Sequence, residues 1–335
     1  MHCTVLISGL LPLPPGLHPR ATALETLLAR GNTRTGAALD RDAWLCSAFG
    51  VAKQSDWPVA PLLLRADGVD PEKYFWLRAD PVHLRPDRSR LVLAAAIDDL
   101  DKEEAAALVT ALNRHFAPDG IIFGIAPAGH WYLRTERPPR IATVPLVQTL
   151  GHDIDPRLPS GEDGLAWHRV INEAQMVLHA QPVNDARETR GQPAVNSIWP
   201  WGGGTLPAPT AAPYTAVWSD DPLANALAGN AHRPLPSDIE KWFAEAAGGE
   251  TQLLVFSALE RDAAAGDLNA WQAELMRFDR DWIAPLLMAL RKRKLAAVRL
   301  VIPGPEQSIE SELTSSHLWR WWRRRRRLAD HGRTA

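Results

Sequence analysis

Apolar and polar positions follow two rhythms along this chain. Nearly unbroken apolar runs stand at Cys3–Ile7 (CTVLI), Gln252–Ala258 (QLLVFSA) and Ala297–Ile302. Runs of that length suit strands buried on both faces of a parallel sheet. Tyr214–Trp218 reads as a further strand, ending at Ser219-Asp220-Asp221. Between these runs the spacing is helical. Ala21–Arg30 carries leucines on one face and stops before Gly31, a C-cap signal. Trp167–His179 turns Val170, Ala174, Val177 and Leu178 inward. Ser237–Ala247 opens with an N-cap pair, Ser237-Asp238. After Gly266, Leu268, Trp271, Leu275, Phe278 and Trp282 form a core-facing stripe. Strand, loop and helix in alternation predict an α/β fold.

From about Asp70 the rhythm changes. Tyr74–Leu84 alternates until Pro81, which predicts a strand leading into a bend. Arg90–Ala96 predicts another strand, Glu103–Phe116 an amphipathic helix, and Gly120–Ile125 with His130–Arg134 a hairpin. This is α+β organisation. The expected division is an α/β core of residues 1–68 and 146–335, with 69–145 as an inserted α+β domain.

Composition adds limits. At 335 residues the chain exceeds the usual size of one core, in keeping with an insertion or two domains. A net charge of −2 gives no overall bias towards nucleic acid. The two cysteines, Cys3 and Cys46, cannot make a disulfide framework and fit a reducing compartment. Neither a signal-peptide pattern nor an apolar run long enough to span a membrane is present, so the expected location is the cytoplasm.

The densest run of unusual residues is Pro182–Gly204, PVNDARETRGQPAVNSIWPWGGG. Asn184, Arg187 and Arg190 are three apart, so a helical turn puts them on one face. Val195–Trp199 reads as a short strand with Asn196 in it, and Gly202-Gly203-Gly204 as a loop. Two readings stand side by side. Guanidinium groups suit carboxylate or phosphate and so an anion site. Alternatively, this is a demanding turn whose arginines are tied to neighbouring carboxylates, and spacing alone favours that.

The same stretch resembles the N-x-x-R-x-x-x-G…A-N-x-I-W-x-W-G-x-G segment of the archaeal-type cofactor-independent phosphoglycerate mutases, metalloenzymes of the alkaline phosphatase superfamily. Within that relationship it most resembles a bacterial family of RpfE-type regulatory proteins. The resemblance implies an alkaline-phosphatase-like core sheet flanked by helices. It also implies an anion or sugar-phosphate pocket built from Arg78, Arg187, Arg190, Asn184 and Asn196. Two of the mutases' other segments stand here as Leu77-Arg78-Ala79-Asp80-Pro81 and Gly129-His130-Trp131-Tyr132, which keep Arg78 and His130. A third, D-x-D-P, matches Asp153-Ile154-Asp155-Pro156, otherwise an ordinary Asp-rich turn before proline.

Where the mutases place their chemistry, the chain departs from them. Ser8 stands where a metal-binding Asp ends the first strand. Asp42, Ala43, Ser47 and Gly50 match the nucleophile motif approximately, which puts Arg41 at the nucleophile. Arginine has no lone pair for attack on phosphorus. In the D-x-x-G-H-x-x-D motif, Glu260 and Ala264 replace the Asp and His, and only Asp267 is kept. Gly304-Pro305 stands where Asp-His should follow the last strand. The mutases' route needs two metal ions and an activated nucleophile, and the metals supply several kcal/mol of transition-state stabilisation. Losing them together implies a pseudoenzyme with a regulatory or binding role and no cofactor. Its partner would be a protein or a small anionic ligand. The alternative is an active mutase or phosphatase that binds two divalent ions through substituted ligands.

Leu318–Leu328, LWRWWRRRRRL, interleaves Trp319, Trp321 and Trp322 with six arginines, Arg323, Arg324 and Arg325 among them. Such a segment suits nucleic acid or anionic lipid. The plainer expectation is tryptophans docked on the core and arginines paired to acids.

Overall fold

The computed structural model describes every residue except Pro15, His18, Ser89, 247–249 and 332–335, and also leaves out the side chains of Ala329 and His331. The chain forms two compact units, Met1–Gly50 with Thr210–Ala335, and Val51–Pro209. It is a mixed α/β protein whose central sheet is flanked by helices.

Among the described residues twelve strands are formed. β1 (His2–Ile7) and β2 (Asn32–Leu39) come first, followed by β3 (Phe75–Asp87), β4 (Arg90–Ala96), β5 (Ile121–Ile125), β6 (Trp131–Thr135) and β7 (Ser197–Gly204). β8 (Ala216–Ser219), β9 (His232–Arg233), β10 (Thr251–Phe256), β11 (Ala297–Ile302) and β12 (Gly304–Thr314) complete the set.

In the first unit a seven-stranded sheet runs β2-β12-β11-β1-β10-β8-β9. β11, β1, β10, β8 and β9 are mutually parallel. Their apolar runs are those the hydrophobic pattern marks, because a parallel strand covered on both faces needs apolar residues on both. Helices Thr22–Arg30, Leu268–Phe278 and Ala284–Arg291 bury Leu24, Leu27, Trp271, Leu275, Phe278, Leu286 and Leu290 in its core. β12 and β2 add an antiparallel edge that the pattern does not predict. Both are largely polar, and β2 is mostly exposed, so neither carries the apolar signature of the core strands.

The second unit is an antiparallel sheet in the order β4-β3-β6-β5, with β7 also paired to β3. It is wider than the expected 69–145 insertion, because β7 and helices Val59–Ala66 and Gly164–His179 pack on the same sheet. β3 does not bend away at Pro81 but continues to Asp87. Its pairing with β6 ends at Arg78 and its ladder with β4 begins at Val82, and Pro81 falls in the gap. The Pro81 carbonyl accepts from Ile97 N–H at 2.9 Å, so the missing donor lies on that side of the strand, away from β7.

The glycine run is likewise strand and not loop. A Cβ on Gly203 would stand 2.8 Å from the Phe75 ring, and one on Gly204 2.5 Å from Pro58. Glycine is required there for close approach.

Candidate functional site

The carboxyl ends of β1, β8 and β10 carry Ser8, Asp221 and Glu260. In open parallel sheets that edge is where ligands bind. Gly9, at φ +77°, turns the chain after β1, and a Cβ there would lie 2.2 Å from the Glu260 backbone nitrogen. The indole of Trp271 donates to the Gly9 carbonyl at 2.8 Å and holds that turn.

Into this edge the start of helix Arg41–Ala48 projects Arg41. Asp40 caps the helix, its carboxylate accepting from Asp42 N–H at 2.8 Å and Ala43 N–H at 3.0 Å. Arg41 reaches Asp42 Oδ1 at 2.8 Å, Glu260 Oε2 at 2.5 Å and Asp221 Oδ2 at 3.2 Å. The other Asp221 oxygen accepts from Ala224 N–H at 2.9 Å, capping the next helix, Pro222–Ala228. Four acids, Asp40, Asp42, Asp221 and Glu260, therefore crowd one guanidinium.

Burial, with the neighbouring negative charges adding to it, raises three of these acids. Burial pushes the Asp42 carboxyl up to about 7; Arg41 opposes the shift, while the charges of Asp40 and Asp221 add to it. Asp40 and Glu260 are also raised, chiefly by burial. Arg41 is held charged by Asp42, Asp221 and Glu260 against the cost of its own burial. Asp42 Oδ2 is buried without a hydrogen-bond partner.

Of the seven positions marked by motif, Ser8, Arg41, Asp42 and Glu260 are brought together. Ala264 closes helix Ala258–Ala264. Asp267 caps the next helix by accepting from Ala270 N–H at 2.9 Å. Gly304 opens β12 beside a register shift. Asp40 and Asp221 belong to the cluster and are missing from the motif reading. Both had a signal: an Asp just before a helix, and an Asp just past an apolar strand.

The mutases' metal pair does not fit this donor set. Three of the carboxylates are held by Arg41, and Asp40 caps the helix. Among the described residues no group of three or more His, Cys, Asp or Glu is arranged to hold an ion. Nor does a permanently protonated guanidinium act as nucleophile or base.

Of the five anion-site residues of the second unit, Arg187 and Arg190 meet on one carboxylate and the other three have partners of their own. Arg187, fully buried, donates to Asp99 at 2.6 Å, Glu104 at 3.0 Å and the Pro193 carbonyl at 3.0 Å. Arg190 shares Glu104 with it. Asn184 bonds the Leu178 carbonyl at 2.8 Å and both backbone groups of Val195 at 2.8 and 2.9 Å. Asn196 takes the Leu84 N–H at 2.7 Å and carbonyl at 2.8 Å, completing the β3–β4 ladder at its register shift. Arg78 has different partners. It pairs with Asp80 and reaches the Tyr132 hydroxyl at 3.3 Å. Tyr132 in turn donates to Asp67 at 2.6 Å, and the same carboxylate meets His130 Nδ1 at 2.8 Å. Trp201 donates to Asp80 at 2.5 Å.

Trp319, Trp321 and Trp322 are 77, 76 and 63% exposed, so they do not dock on the core as the plainer expectation had it. Among the described residues no helix is long and apolar enough to cross a membrane.

No family model matches the chain. Over 61 residues, 18% of its length, it is 43% identical to the 2,3-bisphosphoglycerate-independent phosphoglycerate mutase of Methanosarcina mazei. Over 110 residues, 32% of its length, it is 28% identical to the enzyme of the same name from Methanosarcina barkeri. The matched segments span 15% and 28% of those two mutases. The structure of the PH0037 protein from Pyrococcus horikoshii superposes over 93% of this chain and 87% of its own, at TM-score 0.54 and 16% identity. The chain is thus similar in part of its sequence to phosphoglycerate mutases, and along nearly its whole length it shares a fold with a solved archaeal protein.

Proposed function

We propose that this chain is a catalytically silent relative of the cofactor-independent phosphoglycerate mutases, an alkaline-phosphatase-like scaffold with a regulatory or ligand-binding role. The observation that carries the reading is Arg41. Its guanidinium lies at the carboxyl ends of the parallel strands, in ion pairs with Asp42, Asp221 and Glu260, where the resemblance puts a nucleophile and a divalent pair. A fixed internal cation does there what metal does elsewhere for charge, and nothing for chemistry. An anion pocket on Arg78, Arg187, Arg190, Asn184 and Asn196 stays within the proposal on one condition. A ligand must displace the carboxylates of Asp80, Asp99 and Glu104, which already hold the three arginines.

The alternative, an active mutase or phosphatase with substituted ligands, draws on the surplus of acids and on the unpartnered Asp42 oxygen. Metal analysis after equilibration with manganese, together with a 3-phosphoglycerate to 2-phosphoglycerate assay, separates the two. The proposal expects no stoichiometric ion and no turnover. Two ions per chain with turnover would establish the enzyme instead.

A further inference from the structure

The segment from Leu318 to Leu328 is pinned at both ends. Leu328 is buried in the core of the first unit and Leu318 packs against that same core. Its root is tied to the end of helix Thr22–Arg30. Arg30 donates to the Leu318 carbonyl at 3.0 Å, Arg320 to Asn32 Oδ1 at 2.7 Å, and Arg323 to the Gly31 carbonyl at 2.9 Å. Cations at a helix C-terminus are favourably placed. What lies between the pins is a loop held in place. It presents three exposed indoles, and Arg324, Arg325, Arg326 and Arg327 are exposed, their guanidinium groups in no ion pair among the described residues, although the Arg327 backbone N–H donates to Asp330 at 3.2 Å.

Three large apolar side chains left in water within four residues are costly unless something covers them. Indole is the side chain that settles at the boundary between lipid headgroups and acyl chains. Each arginine near an anionic bilayer adds roughly 1 kcal/mol, and stable attachment takes an apolar and a basic signal together. Both are present on one preordered loop, so little ordering entropy opposes docking. Nucleic acid fits less well. Trp321 and Trp322 meet edge to face at 79°, with centroids 6.1 Å apart, and so offer no parallel platform for successive bases. The loop's six arginines account for +6 of the net −2, which leaves −8 on the rest of the chain. A long polyanion laid along the body would meet that charge.

We propose that this loop is a peripheral docking surface for an anionic lipid bilayer, with the indoles entering the headgroup region and the arginines facing anionic headgroups. The proposal is independent of whether the Arg41 site is silent. The test is co-sedimentation of the full chain with phosphatidylcholine vesicles, with and without phosphatidylserine, beside a fluorescent oligothymidylate. Two variants accompany it, W319A/W321A/W322A and R324E/R325E/R326E, with melting curves as the control for folding. The expected result is binding only to phosphatidylserine vesicles, weakened at least about tenfold by either variant and by raised salt. Because the altered residues are exposed, the melting temperatures should stay unchanged. Binding to the oligonucleotide but not to vesicles overturns the proposal, as does absence of both. Vesicle binding indifferent to the tryptophan variant overturns it too.

Discussion

Arg187, fully buried, and Arg41, largely buried, are each surrounded by acids, and the contrast between them is instructive. Arg187 in the second unit holds Asp99 and Glu104 and shares Glu104 with Arg190, so these two cations face two anions. The Pro193 carbonyl and the capping box of Glu104 with Asp101 complete that network. Arg41 in the first unit is alone among Asp40, Asp42, Asp221 and Glu260. The first arrangement comes closer to balance, two cations to three acids with Asp101 counted, and joins a helix to the loop before it. The second keeps more negative charge than its one cation balances, at the edge of the sheet where ligands bind. Ion pairing as such does not mark a functional site; unbalanced charge in a buried place marks a candidate for one.

Removing the cation should separate the two most sharply. Arg41→Met leaves the buried Asp42 and Asp221 and the partly exposed Glu260 without a counter-charge, and breaking a buried pair in this way costs on the order of 3–5 kcal/mol. Arg187→Met should cost less, because Asp99 is about half exposed and Arg190 stays on Glu104. Urea unfolding of both variants measures the difference. Equal losses would mean that charge surplus plays no part.

A pH series sharpens the comparison further. The folded Asp42 carboxyl is raised from 3.8 to about 7, so the folded state holds a proton that the unfolded chain releases. Its contribution is therefore greatest below the unfolded value. It is lost as pH climbs from about 4 to about 7, and amounts to at most roughly 4 kcal/mol at about 1.4 kcal/mol per unit. Asp42→Asn should flatten that descent and raise stability near neutral pH. A descent unchanged in the variant would assign it to Asp40 or Glu260.

The smallest effect belongs to Asp267. As an exposed cap it should cost about 1 kcal/mol on replacement by Ala, with the pH profile of the Arg41 cluster unaltered. A change in that profile would tie Asp267 to the site after all.

Much of the architecture was legible in the order of residues. Strands β1, β10 and β11 announce themselves because a strand covered on both faces must be apolar throughout. The helix after Gly266 does so because its buried stripe repeats every three or four residues. The glycine run was read as a loop because glycine alone says only that the backbone is permissive. That Phe75 and Pro58 crowd it, and that it is strand β7, depends on neighbours more than a hundred residues away. β2 and β12 stayed hidden because an antiparallel edge has one solvated side and little apolar signal.

At the site the division runs the same way. Sequence alone determined that an arginine, and no hydroxyl or thiol, stands at position 41, since side-chain identity settles which atoms carry lone pairs or charge. Only the tertiary structure decided that Arg41, Asp221 and Glu260 meet. Their side chains come from three separate elements, and their joint electrostatics exist only once parallel strands line up their carboxyl ends in a buried place of low dielectric.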